Sequence, residues 1–296
     1  MPVYDKSSRL RAYAGALLFI LPTLASAEAY SALSLGSGPD GYRSYALKAD
    51  ADLSKSVQLN LDYFLARSSG VDDVRQGGLG LSWNATELIS TNYRYSETGD
   101  GIFAVKGNEG GLAFALDTLW QGELQTSFDL GYGSFKYKAA NPQTVAASNF
   151  VLTQSRGSYG LSQDLTSSLT LYGSHDQYTY DRNVKALALF LLKRTRNTSK
   201  AAFSLLAFPD KTNTLGMNWK TTDTVQLDVS FSKTTTLLDQ QLKNTMIGID
   251  YQAGDNLNLG LAVTRSTASA MVNNSGVTVQ PETLDNYWEV TAGWLF

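Results

Sequence analysis

A single histidine, His175, stands in the run Ser174-His175-Asp176, which brings together the residue types of nucleophilic hydrolysis. General-base chemistry needs the imidazole held by one partner and within about 3 Å of the nucleophile. On a strand, Ser174 and Asp176 share one face and His175 points to the other, so a triad would need recruits from neighbouring strands. His175 therefore reads as a solvated residue at the rim, with a rim-histidine hydrolase as an alternative. Asp72 and Asp73 are adjacent acids of a loop, either solvated or helping to hold a divalent cation or bridge to lipopolysaccharide phosphates. Gly78-Leu79-Gly80 and Gly131-Tyr132-Gly133 echo a dinucleotide fingerprint, but no helix follows them. They read as inward-facing glycines that relieve crowding in strands. The chain has no cysteine, which excludes thiolate metal sites, cysteine nucleophiles and CxxC redox chemistry. No catalytic residue, metal site or cofactor is assigned.

The elements that carry these residues begin with an address. Residues 1–11 hold Lys6, Arg9 and Arg11 against Asp5, residues 12–24 are apolar, and Ala25-Ser26-Ala27 offers a small-x-small cleavage site. This predicts a secretory signal peptide over 1–27 and a mature chain over 28–296. Its removal takes away three bases and one acid and leaves a net charge of about −5, which speaks against a nucleic-acid partner. The longest later apolar run, Ala186 to Leu192, is too short for a membrane helix.

The mature sequence alternates with period two. Val57, Leu59, Leu61, Tyr63 and Leu65 are interleaved with Gln58, Asn60 and Asp62, broken only by Phe64. The same pattern recurs from Leu124 to Tyr132, from Val225 to Phe231, from Ile89 to Tyr95 and from Leu257 to Val263. Successive strand side chains point to opposite faces, so each segment has one apolar and one polar face. Tight turns near 53–55, 84–86, 118–122, 163–167, 221–223 and 253–255 take turns with mostly longer connections near 37–41, 67–75, 97–106, 138–148, 178–184 and 269–283. Such sorting belongs to an outer-membrane barrel with short periplasmic turns and longer outer loops. Trp83, Trp120, Trp219 and Tyr251 sit in or beside the short turns, where an interfacial girdle lies.

The last thirteen residues read LDNYWEVTAGWLF, placing Trp288, Val290, Ala292, Trp294 and Phe296 on one face. This resembles the C-terminal signal of bacterial outer-membrane β-barrel proteins, an amphipathic last strand ending on an aromatic residue. The resemblance implies recognition of Trp288, Val290, Trp294 and Phe296 by the barrel-assembly machinery and location in the outer membrane. The implied partners are outer-membrane lipids and lipopolysaccharide, small hydrophilic solutes and a further copy of the chain.

The expected fold is all-β, a transmembrane antiparallel up-and-down barrel closing on the strand that ends at Phe296. Residues 28–180 hold nine strands at about 17 residues each, and the remaining 116 residues give about seven more at that rate, hence 16 strands. Residues 181–210 are apolar on both faces and have two readings. As a hairpin they complete 16 strands; as a helix or inserted loop they leave 14 and carry Lys185, Lys193, Arg194 and Arg196 into the mouth as a constriction or plug. The expected pore-lining charges are Lys48, Asp50, Asp62, Arg94, Asp129, Arg156, Asp228, Asp250 and Glu289. Six acids against three bases give a weak cation preference through the field of the wall, unless the charges pair with one another across strands. The function expected is a non-enzymatic, porin-like channel for small hydrophilic solutes or ions. The alternatives are a gated export pore for a polysaccharide or other polymer, and the hydrolase above.

Overall fold

The computed structural model describes residues 29–69, 71–120, 124–140, 150–188, 205, 207–272 and 278–296. The expected signal peptide over 1–27 lies outside them. Nine strands precede residue 181: β1 (Ala29–Ser37), β2 (Arg43–Ser54), β3 (Val57–Ser68), β4 (Val71–Asn84), β5 (Ile89–Gly99), β6 (Phe103–Ala115), β7 (Thr126–Ala139), β8 (Val151–Thr166) and β9 (Leu169–Tyr180). A single helical turn, α1 (Asp117–Trp120), lies between β6 and β7. Then follow β10 (Pro209–Lys220), β11 (Val225–Thr236), β12 (Gln241–Gln252), β13 (Leu257–Ala268), the short β14 (Met271–Val272) and β15 (Thr278–Gln280), and β16 (Thr283–Leu295). Strands β1–β13 and β16 close into one antiparallel barrel, and β14 and β15 form a separate two-stranded ribbon.

The barrel therefore has fourteen strands, not sixteen. The miscount comes from residues 181–208. Strand β9 pairs directly with β10, Trp219 opposite Leu169 through to Lys211 opposite Gln177, so no hairpin is inserted between them. The run is rich in Ala and Leu, with only Val184, Thr195 and Thr198 β-branched, and its described part is helical at 184–188.

Period-two alternation is realised as two faces. Leu33, Leu35, Leu79, Leu81, Tyr132, Leu161, Ile247, Ile249 and Leu261 stand on the outer face, exposed in the isolated barrel as lipid-facing side chains must be. Trp83, Trp219 and Tyr251 join them beside the short turns, and Trp120 falls in α1. The end that carries the termini has turns such as 55–56, 167–168 and 253–256. The opposite end carries the three longest connections, 140–150, 181–208 and 269–282. Two connections expected to be long are tight: β3 and β4 are joined by 69–70 and β5 and β6 by 100–102, because these strands run on as paired hairpins past the expected boundaries. At the β1–β2 turn, Asp40 and Gly41 take positive φ (53° and 68°), the left-handed region that Asp tolerates and Gly prefers.

The closing seam joins β1 to β16, with Tyr30 opposite Leu295 and Ser37 opposite Trp288. Across it Ser34 Oγ and Thr291 Oγ1 hydrogen-bond at 2.7 Å. Trp288, Val290, Trp294 and Phe296 all lie exposed along the outer side of this last strand and its end.

Candidate functional site

The inner face is polar because the alternating partners of the lipid-facing residues are Ser, Thr, Asn, Gln, Gly and charges. On β3 to β9 these charges form a ladder running around the wall. Arg94 on β5 makes a bidentate bridge to Asp62 on β3, with Nη2 to Oδ2 at 2.8 Å and Nε to Oδ1 at 3.2 Å. Its Nη1 donates to Glu109 Oε2 on β6 at 3.3 Å. Glu109 Oε1 in turn accepts from Arg156 Nη2 on β8 at 2.5 Å. Arg156 Nε lies 3.9 Å from Asp176 Oδ1 on β9, and its guanidinium stacks 5.8 Å from the centre of the Phe135 ring.

Two of these bridges span an intervening strand, and glycine makes that geometry available. Gly78 on β4 is the register partner of Asp62. A Cβ there would overlap Asp62 Oδ1 and lie 2.8 Å from Arg94 Nη2, so any side chain would break the bidentate pair. Gly133 on β7 is likewise opposite both Glu109 and Arg156. The fork of arginine matches a carboxylate through two parallel hydrogen bonds, but only where the strand between them presents no bulk.

The other sector of the wall differs. Lys48 and Asp50 pair at 2.9 Å on β2. Asp228 on β11, Asp250 on β12 and Glu289 on β16 have no basic group within 4.0 Å among the described residues, and Asp129 on β7 has none either. Asp228 accepts a long hydrogen bond, 3.4 Å, from the Tyr172 hydroxyl. Glu109 and Asp176 are absent from the expected pore-lining set. Glu109 sits in Lys106-Gly107-Asn108-Glu109-Gly110-Gly111, where glycines erase the alternation that would assign its face.

Above the ladder, toward the long connections, the same inner face turns apolar. Phe103, Leu152, Tyr137 and Tyr180 continue the rows of Glu109, Arg156, Gly133 and Asp176. Against them pack Val184, Ala188, Leu205 and Phe208 from the chain between β9 and β10, with Phe150 beside them. Leu152 and Leu205 are 0% exposed and Phe103 is 2% exposed, so this is a dry interface. Phe208 stacks 4.9 Å from Tyr137 and 5.8 Å from Tyr180. Gln154 donates to the Tyr180 hydroxyl, which donates to the Pro209 carbonyl. The described part of the chain between β9 and β10 thus lies in the mouth, fastened to the inner side of β6–β9 through Val184, Ala188, Leu205 and Phe208. Lys185 is exposed on it, while Lys193, Arg194 and Arg196 lie outside the described residues.

His175 points outward. Its Nδ1 bonds Asn213 Oδ1 at 2.8 Å and its ring leans on Tyr159, centroids 5.1 Å apart. Asp176 faces inward to Arg156, so the neighbouring acid and imidazole are separated by the wall. Asp73 is bracketed by Arg67 at 3.2 Å and Arg75 at 3.5 Å, so its carboxylate is engaged by two arginines and not turned to a shared site with Asp72.

No family model matches the sequence, and no curated protein is similar to it. Among solved structures, OccAB1 of Acinetobacter baumannii superposes with a TM-score of 0.51 at 8% identity, over 91% of this chain and 96% of that one. An anion-selective porin from Comamonas acidovorans gives 0.47 at 10% identity, over 92% and 99%. A BenF-like porin from Pseudomonas fluorescens Pf-5 gives 0.45 at 12%, also over 92% and 99%. With its closed sheet and apolar exterior, the chain has the porin-like β-barrel fold of bacterial outer-membrane proteins.

Proposed function

We propose that this barrel is a diffusion channel for small hydrophilic solutes or ions, with no enzymatic role, narrowed at its mouth by the chain between β9 and β10. One observation carries the reading: fourteen strands close around an inner face of hydroxyls, amides and charges while the outer face is apolar. Eight strands are filled by their own side chains and 16 to 18 leave an aqueous channel, so fourteen stands near the open end.

The lining residues act through their charge. Lys48 with Asp50, and Arg94 and Arg156 with their three acids, are close to neutral as groups, whereas Asp129, Asp228, Asp250 and Glu289 keep their field. Walls of low dielectric focus such a field on the water between them, and the channel favours cations. The docked segment acts as a fixed constriction. Burying large apolar side chains such as Leu152, Leu205 and Phe208 contributes roughly 1.5–3 kcal/mol each, which opposes the displacement that polymer export through this mouth would require. Residues 1–27 direct export and are removed, Trp288, Val290, Trp294 and Phe296 are read by the barrel-assembly machinery, and the folded barrel associates with further copies of itself.

The test is single-channel recording of the full chain, expressed and extracted from outer membranes, in a planar bilayer under a salt gradient. Steady ohmic conductance with a reversal potential of the cation-selective sign is expected. A folded barrel that stays silent, both intact and with residues 182–207 deleted, overturns the channel.

A further inference from the structure

On the outer face of β10–β13, near the end of the long connections, Lys211, Lys233, Lys243 and Arg265 come from four consecutive strands. Lys233 and Lys243 are register partners, directly opposite each other on one face. Lys211 lies opposite Thr235, two residues beyond Lys233, and Arg265 lies opposite Thr245, two residues beyond Lys243. The four make a continuous diagonal stripe. None has a carboxylate within 4.0 Å among the described residues.

Like charges placed directly opposite on a sheet repel. A second such pair on this barrel shows the usual remedy. Lys106 and Lys136 also face each other across β6 and β7, but Glu97 holds the Lys106 ammonium at 2.7 Å. Among the described residues no such counter-ion accompanies Lys233 and Lys243. Below the stripe the outer face becomes apolar: Phe231 and Val263 are the next residues on that face toward the turns, and Leu215 and Ile247 follow after Asn213 and Thr245. Cations at the upper border of a lipid-facing belt match an amphiphile whose anionic head sits over its acyl chains.

We propose that Lys211, Lys233, Lys243 and Arg265 form a binding site for the phosphate groups of a phosphorylated, multiply acylated lipid of the outer leaflet, whose chains lie along Leu215, Phe231 and Ile247. Phosphate oxygens supply the acceptors that the apposed lysines lack, in charge-assisted hydrogen bonds. The site rests on the outer-membrane placement of the barrel and not on its conducting, so loss of one reading leaves the other standing.

The test uses the full-length barrel purified in non-ionic detergent, with bisphosphorylated lipid A and the same lipid stripped of phosphate as probes, followed by native mass spectrometry. The phosphorylated lipid is expected to bind about tenfold more tightly than the stripped one, roughly one good charge-assisted contact's worth. The variant Lys211→Gln, Lys233→Gln, Lys243→Gln, Arg265→Gln should lose this preference, while Lys136→Gln, Lys138→Gln should keep it. Heat-modifiable migration in gels reports that each variant is folded. A preference that persists in the fourfold variant, that is absent in the wild type, or that millimolar inorganic phosphate abolishes overturns the proposal. A second readout is independent. Lys243→Gln should raise or leave unchanged the melting temperature in lipid-free detergent and lower it relative to wild type when the phosphorylated lipid is present. A fall under both conditions would make Lys243 a structural residue and overturn the site.

Discussion

The inner side of β5–β9 and the inner side of β11–β16 are built from the same alternation, yet one is furnished and the other bare. On the first, Arg94 and Arg156 offset most of the charge of Glu109, Asp176 and, reaching in from β3, Asp62, and an apolar cluster above them anchors the incoming chain. On the second, Asp228, Asp250 and Glu289 stand without basic partners among the described residues. Partly exposed ion pairs contribute only about 1 kcal/mol each, so the ladder is better understood as charge management than as a source of stability. It leaves the wall that carries the docked segment with one acid unpaired among the described residues, Asp129, against three on the other side.

The contrast breaks most strongly at the anchor. Leu152→Asp places a carboxylate in a site that is 0% exposed, at a cost of several kcal/mol to the docked arrangement. The chain between β9 and β10 should leave the wall, and single-channel conductance should rise well above wild type; unchanged conductance would show that this segment does not narrow the path. Next in size, Asp228→Asn with Asp250→Asn should reduce the cation over anion permeability ratio severalfold in 0.1 M salt. The reduction should be much smaller in 1 M salt, where the screening length falls from about 10 Å to about 3 Å. Arg94→Gln with Arg156→Gln should move the ratio the opposite way by uncovering Asp62, Glu109 and Asp176, measured from reversal potentials on the same bilayers. Gly78→Val should lower barrel stability by about 1–3 kcal/mol by overlapping the Asp62–Arg94 bridge. Gly77→Val, one residue away on the other face with no atom closer than 4.0 Å to its added Cβ, should be close to neutral in denaturant titration. Smallest of all, His175→Ala should alter stability by less than about 0.5 kcal/mol and leave conductance unchanged, since only an outward hydrogen bond to Asn213 is lost.

These regions also differ in how far the sequence discloses them. Alternation in Val57–Leu65 or Val225–Phe231 reveals strand, face and membrane orientation together, because the chemical period equals the structural one. The nine strands before residue 181 follow from it. Residues 181–208 defeat the same logic, since an apolar surface reads alike whether lipid or a dry protein wall covers it. Leu205 and Phe208 meet Phe103 and Leu152 only after the barrel closes. Which charges pair depends on register, and register is not written in composition. Arg94 and Asp62 each belong plainly to the polar face, but that Gly78 lets them meet is visible only once β3, β4 and β5 are aligned. Arg156 belongs to the expected pore-lining set and Asp176 to the face opposite His175, but that the two meet across β8 and β9 is again a matter of register.

The seam between β1 and β16 bears on the timing of folding. Ser34 meets Thr291 across 257 residues of chain, whereas Asp52 meets Gln58 over six. For a free chain the entropy of closing such loops is roughly 5 kcal/mol against about 1.6 kcal/mol, so neighbouring hairpins form readily and the seam waits. Until it forms, β1 and β16 each present an open row of amides and carbonyls, a template for pairing with another chain. The protein is therefore most vulnerable to aggregation when nearly complete, and its last thirteen residues decide whether the preceding thirteen strands become a barrel or an exposed sheet.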